Sequence, residues 1–161
     1  MLKLHKTRRA LPLNKRRAVA TVGVVTTLFA GALIAAPQAQ ANVSSGGCRT
    51  AGYAGTTPGV NILPCAYPGT WWANSIQAYV QVQNPNRLDV NSCAQLLRVN
   101  GDGSTTQVTN FGCNGPSSAT GFGWYSNSLA TPGNGTYVVQ TGYWYAGQYW
   151  GGAQSARITI Y

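Results

Sequence analysis

The sequence is short of the residue types that carry most enzyme chemistry. Its 161 residues include two acidic side chains, Asp89 and Asp102, and one histidine, His5. General acid–base catalysis needs a group that exchanges protons near the working pH, and a Ser or Thr nucleophile needs a neighbouring base. Asp102 lies in the turn sequence NGDG and Asp89 in the polar stretch NPNRLDVN, which disfavours a catalytic pair of carboxylates. We therefore expect a protein that is not an enzyme and that needs neither a cofactor nor a metal.

Most of the positive charge lies at the start of the chain. The formal net charge is +9, but seven of the eleven Lys and Arg lie within the first 17 residues. An apolar run at 18–36 follows, and then the small-x-small sequence AQA at 39–41, which is the order of a secretory signal peptide. We expect removal of 1–41 after general secretion; twin-arginine export and an uncleaved membrane anchor are the alternatives.

The chain from position 42 onward has few charges of either sign. It has four Arg and two Asp, a net charge of +2, and no Lys, Glu or His. Four scattered cations cannot build the basic footprint that phosphate binding needs. We therefore expect no nucleic-acid partner, no stable membrane association after cleavage and an extracellular location.

Four Cys form an even set, as expected for a protein that folds in an oxidising compartment. Three pairings are formally open. Residues that are neighbours in sequence cost the least loop-closure entropy to join. We therefore predict the disulfides Cys48–Cys65 and Cys93–Cys113, each of which stabilises by about 3 kcal/mol in the chain-entropy model.

Alternation of apolar and polar residues predicts strands and no long helix. The segment IQAYVQVQ at 76–83 places Ile and Val on one face and Gln and Tyr on the other. The turn sequence NGDGS predicts a hairpin between the strands 93–99 and 105–111. Further strands are expected at 122–129, 136–145 and 155–161, with a short edge strand at 58–63 that Pro64 ends. The fold class is therefore an antiparallel all-β sandwich or barrel of about seven strands.

The N-terminal part of the mature chain has a different composition from the rest. The segment 42–69 is rich in Gly, Ser, Thr and Pro, and its first six residues show no apolar pattern. We interpret it as a flexible arm followed by a disulfide-pinned lobe, and we place the sandwich domain at 70–161. The arm is either a loose terminus or a segment that orders on a partner.

Gly135 and Tyr137 form a Gly-x-Tyr sequence directly before a predicted strand. This sequence resembles the corner of immunoglobulin-like sandwiches, where the Tyr hydroxyl caps backbone across the corner. It departs from the antibody pattern because Val139, rather than a Cys, follows two residues after the Tyr. The resemblance implies an immunoglobulin-like β-sandwich rather than a barrel.

The chain has more aromatic residues than a core of this size needs. We predict a loop at 145–152, with Tyr149 and Trp150 exposed at its tip as interface anchors. The candidate binding residues are Trp72, Tyr143, Tyr145, Tyr149 and Trp150. The alternative for the tryptophans Trp71, Trp72, Trp124 and Trp144 is a place in the core or beneath the loop.

A nearly uncharged, aromatic-rich surface on a disulfide-bonded sandwich is typical of a binding protein. In layout the chain resembles small secreted sandwich proteins of actinobacteria, including the adaptor subunits of umbrella toxin particles. That resemblance implies a non-catalytic protein-interaction module whose partner is another secreted protein. The alternatives are a carbohydrate-binding module, in which exposed rings stack on sugars, and a small secreted enzyme inhibitor.

Overall fold

The structure is a computed structural model that describes residues 44, 46–70, 72 and 74–161. The predicted signal peptide at 1–41, Trp71 and part of the predicted arm lie outside the described residues. The described part of the chain is all-β, and it contains no helix long and apolar enough to cross a membrane. The all-β class predicted from the sequence is therefore confirmed.

The described residues form ten strands rather than about seven. In chain order they are β1 (Gly47–Cys48), β2 (Ala54–Gly55), β3 (Asn61–Pro68), β4 (Ile76–Gln83), β5 (Val90–Val99), β6 (Thr105–Ser117), β7 (Gly121–Tyr125), β8 (Gly135–Tyr145), β9 (Gln148–Gln154) and β10 (Ile158–Ile160). Three of these strands were not predicted. They are β1 and β2, which have two residues each, and β9, which has seven.

Two antiparallel sheets face each other across one core. The first sheet has the order β1-β3-β4-β7, with β2 also paired to β3; the second has the order β10-β8-β5-β6, with β9 also paired to β8. Buried residues of both sheets form one hydrophobic cluster, which includes Ile62 and Val80 from the first sheet and Leu96 and Val139 from the second. We call the two layers the β3-β4-β7 sheet and the β8-β5-β6 sheet.

Strand β4 has the bounds and the faces predicted from its alternation. Ile76, Ala78, Val80 and Val82 are buried, whereas the Gln and Tyr residues between them lie on the outer face. β-branched side chains favour this pleated, half-buried setting. β4 therefore forms the centre of the β3-β4-β7 sheet, with β3 and β7 on either side.

The β5–β6 hairpin and both disulfides are confirmed. In the turn, the Asn100 amide donates to Ser104 O at 2.9 Å, and Asp102 Oδ1 accepts from the Ser104 amide at 2.9 Å. Cys93 and Cys113 are directly opposite each other in the hairpin and form one disulfide. The second disulfide joins Cys48 of β1 to Cys65 of β3, which are also cross-strand partners.

The prediction of a loop at 145–152 is wrong. The chain makes a two-residue turn at Ala146 and Gly147, whose φ angles of 49° and 77° are those of a type I′ hairpin turn. The segment 148–154 then returns as β9 along β8. The prediction failed because QYWGGAQ shows no alternation of apolar and polar residues that would indicate a strand. The strand forms because the turn and the cross-strand pairing with β8 hold the segment extended.

The prediction that Pro64 ends a strand is wrong, because Pro64 lies within β3. Its carbonyl accepts from the Arg49 amide at 3.0 Å, on the side of the sheet where β1 and β2 lie. The backbone N–H that proline lacks would point to this same side, away from β4, and it would fall between the residues of β3 that pair with β2 and those that pair with β1. The hydrogen bonds to β4 are therefore undisturbed, and β3 continues to residue 68.

The described residues of the segment 44–69, which the sequence assigns to an arm and a lobe, are joined to both sheets. The Ser44 amide donates to Thr159 O at 2.9 Å, and the Ser44 hydroxyl oxygen Oγ accepts from the Thr159 amide at 2.8 Å. β1 and β3, which lie in the segment assigned to an N-terminal lobe, belong to the same sheet as β4. Within 44–69, Ser44 is therefore bonded to β10 of the second sheet, whereas β1, β2 and β3 are strands of the first sheet.

Candidate functional site

The register of β8 on β9 determines which predicted binding residues reach the surface. Trp144 is the cross-strand partner of Tyr149, and Tyr143 is the partner of Trp150. Cross-strand partners share a face of a sheet, and neighbours along a strand point to opposite faces. The first pair therefore lies on the outer face and the second on the core side.

Tyr143 belongs to the core. It is fully buried, and its hydroxyl bonds the Thr56 hydroxyl across the gap between the two sheets. Burial raises the pKa of the Tyr143 phenol above its ordinary value. Because no part of this ring is accessible, Tyr143 cannot touch a partner directly.

The other predicted residues are distributed over the molecule. Trp150 is half-buried against the core, and its Nε1 is buried with no hydrogen-bond partner among the described residues. Tyr145 is also half-buried against the core. Trp72 lies between β3 and β4 and is 67% exposed. The structure therefore brings Tyr149 together with Trp144, and not with the other candidates.

Trp144 and Tyr149 form an aromatic corner on the outer face of the β8-β5-β6 sheet. Their ring centroids are 5.5 Å apart, with an interplanar angle of 61°, which is the favourable edge-to-face arrangement. Both rings remain about half exposed. Partial burial raises the pKa of the Tyr149 phenol above its ordinary value.

Gly142 makes room for the Tyr149 ring. A Cβ at position 142 would overlap the Tyr149 hydroxyl and would lie 2.5 Å from both Tyr149 Cζ and the Trp150 carbonyl oxygen. The phenol ring therefore occupies the place that a side chain would take on β8. This close packing fixes one wall of the aromatic corner.

A groove of about 300 Å³ lies beside the aromatic corner. Trp144 and Tyr149 line it together with Gln95, Asn110 and the Cys93–Cys113 disulfide, and we call it the aromatic–amide groove. None of the described residues that line it is charged. Gln95 Nε2 donates to Gln140 Oε1 at 2.6 Å, and Asn110 Oδ1 accepts from the Gly112 amide at 2.9 Å.

Those two internal hydrogen bonds fix the orientation of the amides in the groove. Gln95 is oriented by one of its two N–H donors, and its Oε1, which has no hydrogen-bond partner among the described residues, can accept from a ligand. Asn110 is oriented through its Oδ1, and its Nδ2, which likewise has no partner among the described residues, can donate to a ligand. The groove thus combines aromatic surface with an acceptor oxygen on Gln95 and a donor group on Asn110.

A second aromatic surface covers the outer face of the β3-β4-β7 sheet. Tyr79 of β4 and Tyr125 of β7 are cross-strand partners whose rings stack with centroids 4.3 Å apart and planes 27° apart. Tyr125 is 55% exposed. We call the surface formed by Tyr53, Tyr79, Gln81 and Tyr125 the tyrosine face.

Hydrogen bonds hold the tyrosine face in one arrangement. The Tyr53 hydroxyl donates to Gln81 Oε1 at 2.7 Å, and Gln81 Nε2 donates to the Tyr79 hydroxyl at 3.3 Å. Gly123, directly opposite Gln81, leaves space for the Tyr79 phenol, because a Cβ there would lie 2.6 Å from its hydroxyl. The face is therefore ordered before any partner arrives.

Tyr79, Tyr125 and Trp144 were not among the binding residues predicted from the sequence. The signal for Tyr79 was present, since the alternation in 76–83 already placed it on the polar face of the strand. Tyr125 and Trp144 carried no such signal, because their faces depend on the pairing of β7 with β4 and of β8 with β9.

The two acidic residues lie outside both surfaces. Asp102 is in the β5–β6 turn, where hydrogen bonds from Ser104 hold the pKa of its carboxyl below the ordinary value. Asp89 is exposed in the segment before β5. Among the described residues there is no group of three or more His, Cys, Asp or Glu side chains that could hold a metal ion.

Comparisons with protein-family models, with curated proteins and with solved structures found no match to this chain.

Proposed function

We propose that this chain is a secreted, non-catalytic protein-interaction module, an adaptor-type subunit of an extracellular complex, and that its partner docks on the tyrosine face. The observation that carries the proposal is the exposed Tyr79–Tyr125 stack, held by the Tyr53–Gln81–Tyr79 hydrogen bonds. Tyr is enriched at protein interfaces, and it supplies contact area with only two rotatable side-chain bonds to immobilise.

The preorganisation and low charge of the tyrosine face favour a protein partner. Binding costs about 0.5–1.5 kcal/mol for each side chain that is immobilised at the interface. The stacked and hydrogen-bonded rings are already ordered in the folded chain, so binding a partner loses little further side-chain entropy. The four side chains that define the tyrosine face are neutral, so a partner that covers them desolvates no charge there.

We infer that the two sheets form an immunoglobulin-like sandwich. With β1 and β2 set aside and β9 and β10 counted as one interrupted strand, seven strands remain. The first, second and fifth of these (β3, β4 and β7) share one sheet. The third, fourth, sixth and seventh (β5, β6, β8 and β9/β10) share the other, in the order seventh, sixth, third, fourth. This arrangement keeps the sixth strand between the third and the seventh, as in immunoglobulin-type domains.

The corner at the start of β8 supports the same inference. The Tyr137 hydroxyl lies within 3.0 Å of Gly133 O, 3.2 Å of Pro132 O and 3.3 Å of Asn134 O. Gly135 has a φ of 150°, and a Cβ there would lie 2.9 Å from that hydroxyl. The Gly-x-Tyr sequence thus has the contacts of an immunoglobulin-type tyrosine corner.

Secretion is part of the proposal. Two intramolecular disulfides are consistent with an extracellular location. The basic, apolar and AQA segments within 1–41 have the order of an export signal. The layout of the chain, which resembles that of adaptor subunits of umbrella toxin particles, supports a role between larger secreted proteins.

Affinity purification of a tagged chain from the medium of its native culture tests the proposal. A discrete secreted protein should co-purify with the wild type, and Tyr125→Ala should reduce its retention by tenfold or more, as expected for a central interface residue. Tyr161→Ala is the matched control, because Tyr161 is also exposed. Equal retention by Tyr125→Ala and the wild type would contradict docking on the tyrosine face.

A further inference from the structure

We propose that the aromatic–amide groove is a separate binding site for a neutral polysaccharide of pyranose units, on the sheet opposite the tyrosine face. The main evidence is that one uncharged groove contains the Trp144–Tyr149 corner, the Gln95 oxygen Oε1 as an available acceptor and the Asn110 nitrogen Nδ2 as an available donor. This site goes beyond the proposed protein contact, since it uses another sheet and other residues.

The aromatic corner suits the ring of a sugar. A pyranose has faces lined by C–H groups, and these pack against the electron-rich face of an aromatic ring while the hydroxyls point sideways. Trp144 is 47% exposed, so it offers free ring surface, and Tyr149 stands at 61° to it. One ring thus contacts a sugar face while the other borders its edge, which fixes the position of the unit.

The amides suit the hydroxyls at the edge of the same ring. A hydroxyl both donates and accepts, and it is satisfied when one neighbour accepts from it and another donates to it. Gln95 Oε1 and Asn110 Nδ2 supply these two functions, and the bonds to Gln140 and Gly112 hold them in place. The rigid amides therefore lose little rotamer freedom on binding.

The charge of the groove selects a neutral ligand. Its lining residues are all uncharged, so a carboxylated or sulfated sugar would lose hydration with no cation to replace it. Its volume of about 300 Å³ is at the low end for small-molecule sites, and the groove is open to solvent. An open, shallow groove accepts a unit within a chain as well as a chain end.

Titration calorimetry with neutral hexasaccharides tests this proposal. The probes are cellohexaose, laminarihexaose, xylohexaose, mannohexaose and chitohexaose, with hexagalacturonate as the anionic comparison. We expect at least one neutral probe to bind with a dissociation constant between about 10 µM and about 1 mM. Absence of binding to all five at millimolar concentration, or binding of the anionic probe alone, would overturn the proposal.

Two variants locate the bound sugar in the groove. Trp144→Ala should weaken binding about tenfold or more, since it removes the exposed ring. Asn110→Asp keeps the acceptor for the Gly112 amide but replaces the donor with a charged oxygen, and it should also weaken binding about tenfold. Tyr161→Ala, which removes an exposed aromatic ring that does not line the groove, should leave the affinity unchanged. Unchanged affinity in Trp144→Ala would overturn the assignment.

Two further measurements distinguish sugar binding in the groove from misfolding of the variants and from self-association. Each variant should still unfold in one cooperative transition, because Asn110 is exposed and Trp144 is about half exposed, and Trp144→Ala should shift the midpoint only slightly through loss of the Tyr149 contact. If sedimentation shows a dimer that Trp144→Ala dissociates, the groove holds a second copy of the chain, and the polysaccharide site is wrong. Tyr125→Ala should keep the sugar affinity of the wild type, so failure of the protein-docking proposal and failure of this one give different results.

Discussion

Replacement of Gly142 by Ala tests the packing that holds the aromatic corner. The new methyl group would lie 2.5 Å from the Trp150 carbonyl oxygen, whereas ordinary contact begins at 3.4 Å. The carbonyl must therefore retreat by about 0.9 Å, which stretches the pairing of β8 with β9. Loss of one or two backbone hydrogen bonds, together with overpacking, costs about 1–3 kcal/mol in the free energy of unfolding.

Gly101→Ala is the matched control for this substitution. Gly101 has no heavy atom within 4 Å of the position of a Cβ, and its φ lies outside the left-handed region. Ala at a compatible position stabilises by about 0.4–1 kcal/mol, because it restricts the unfolded chain. The two variants should thus differ in sign, with Gly142→Ala the less stable by about 1.5–4 kcal/mol.

Chemical denaturation of the two variants measures this difference. The phenol of Tyr149 provides a second measurement, because displacement of its ring into solvent should lower its raised pKa toward the ordinary value. Absorbance at high pH follows that ionisation when Tyr149→Phe serves as the reference. Equal stability of Gly142→Ala and Gly101→Ala, with an unchanged Tyr149 titration, would refute the packing described for the corner.

Three other predictions concern the folded framework. Tyr137→Phe should lower the free energy of unfolding by about 1 kcal/mol, because the buried hydroxyl no longer bonds the corner backbone; a change below about 0.3 kcal/mol in guanidinium denaturation would contradict this. Replacing Cys93 and Cys113 together by Ser should cost about 3 kcal/mol for a sequence separation of 20, and an unchanged denaturation midpoint would count against it. The pKa of Tyr143 is raised in the folded state, so its neutral phenol should contribute fully to the free energy of unfolding below the ordinary pKa of 10.0, and this contribution should be lost as the pH rises through the folded pKa. Unfolding experiments at increasing pH should therefore show a smaller decline in the free energy of unfolding for Tyr143→Phe than for the wild type.

The parts of the fold that the sequence predicted well are encoded locally. The hairpin of β5 and β6 follows from its turn sequence, and β4 follows from its alternation. Both disulfides link cross-strand partners that are near each other in sequence, so the entropy of loop closure was sufficient to choose the pairing.

The parts that the sequence predicted poorly depend on contacts between distant segments. Strand β9 has no alternation of its own and exists because a two-residue turn returns it to β8. That pairing places Trp150 toward the core and Tyr149 outward, although both had been expected at the tip of one loop. The stack of Tyr79 on Tyr125 likewise requires the register of β4 on β7, which joins residues 46 positions apart.

Photo-crosslinking from the tyrosine face is the most direct test of the central proposal. A benzoylphenylalanine at position 125, in the chain expressed in its native host, should give one discrete covalent adduct with a secreted protein on irradiation. The same group at position 161, which is also exposed, should give none. Absence of an adduct from position 125, or the same adducts from both positions, would contradict a protein partner docked on the tyrosine face.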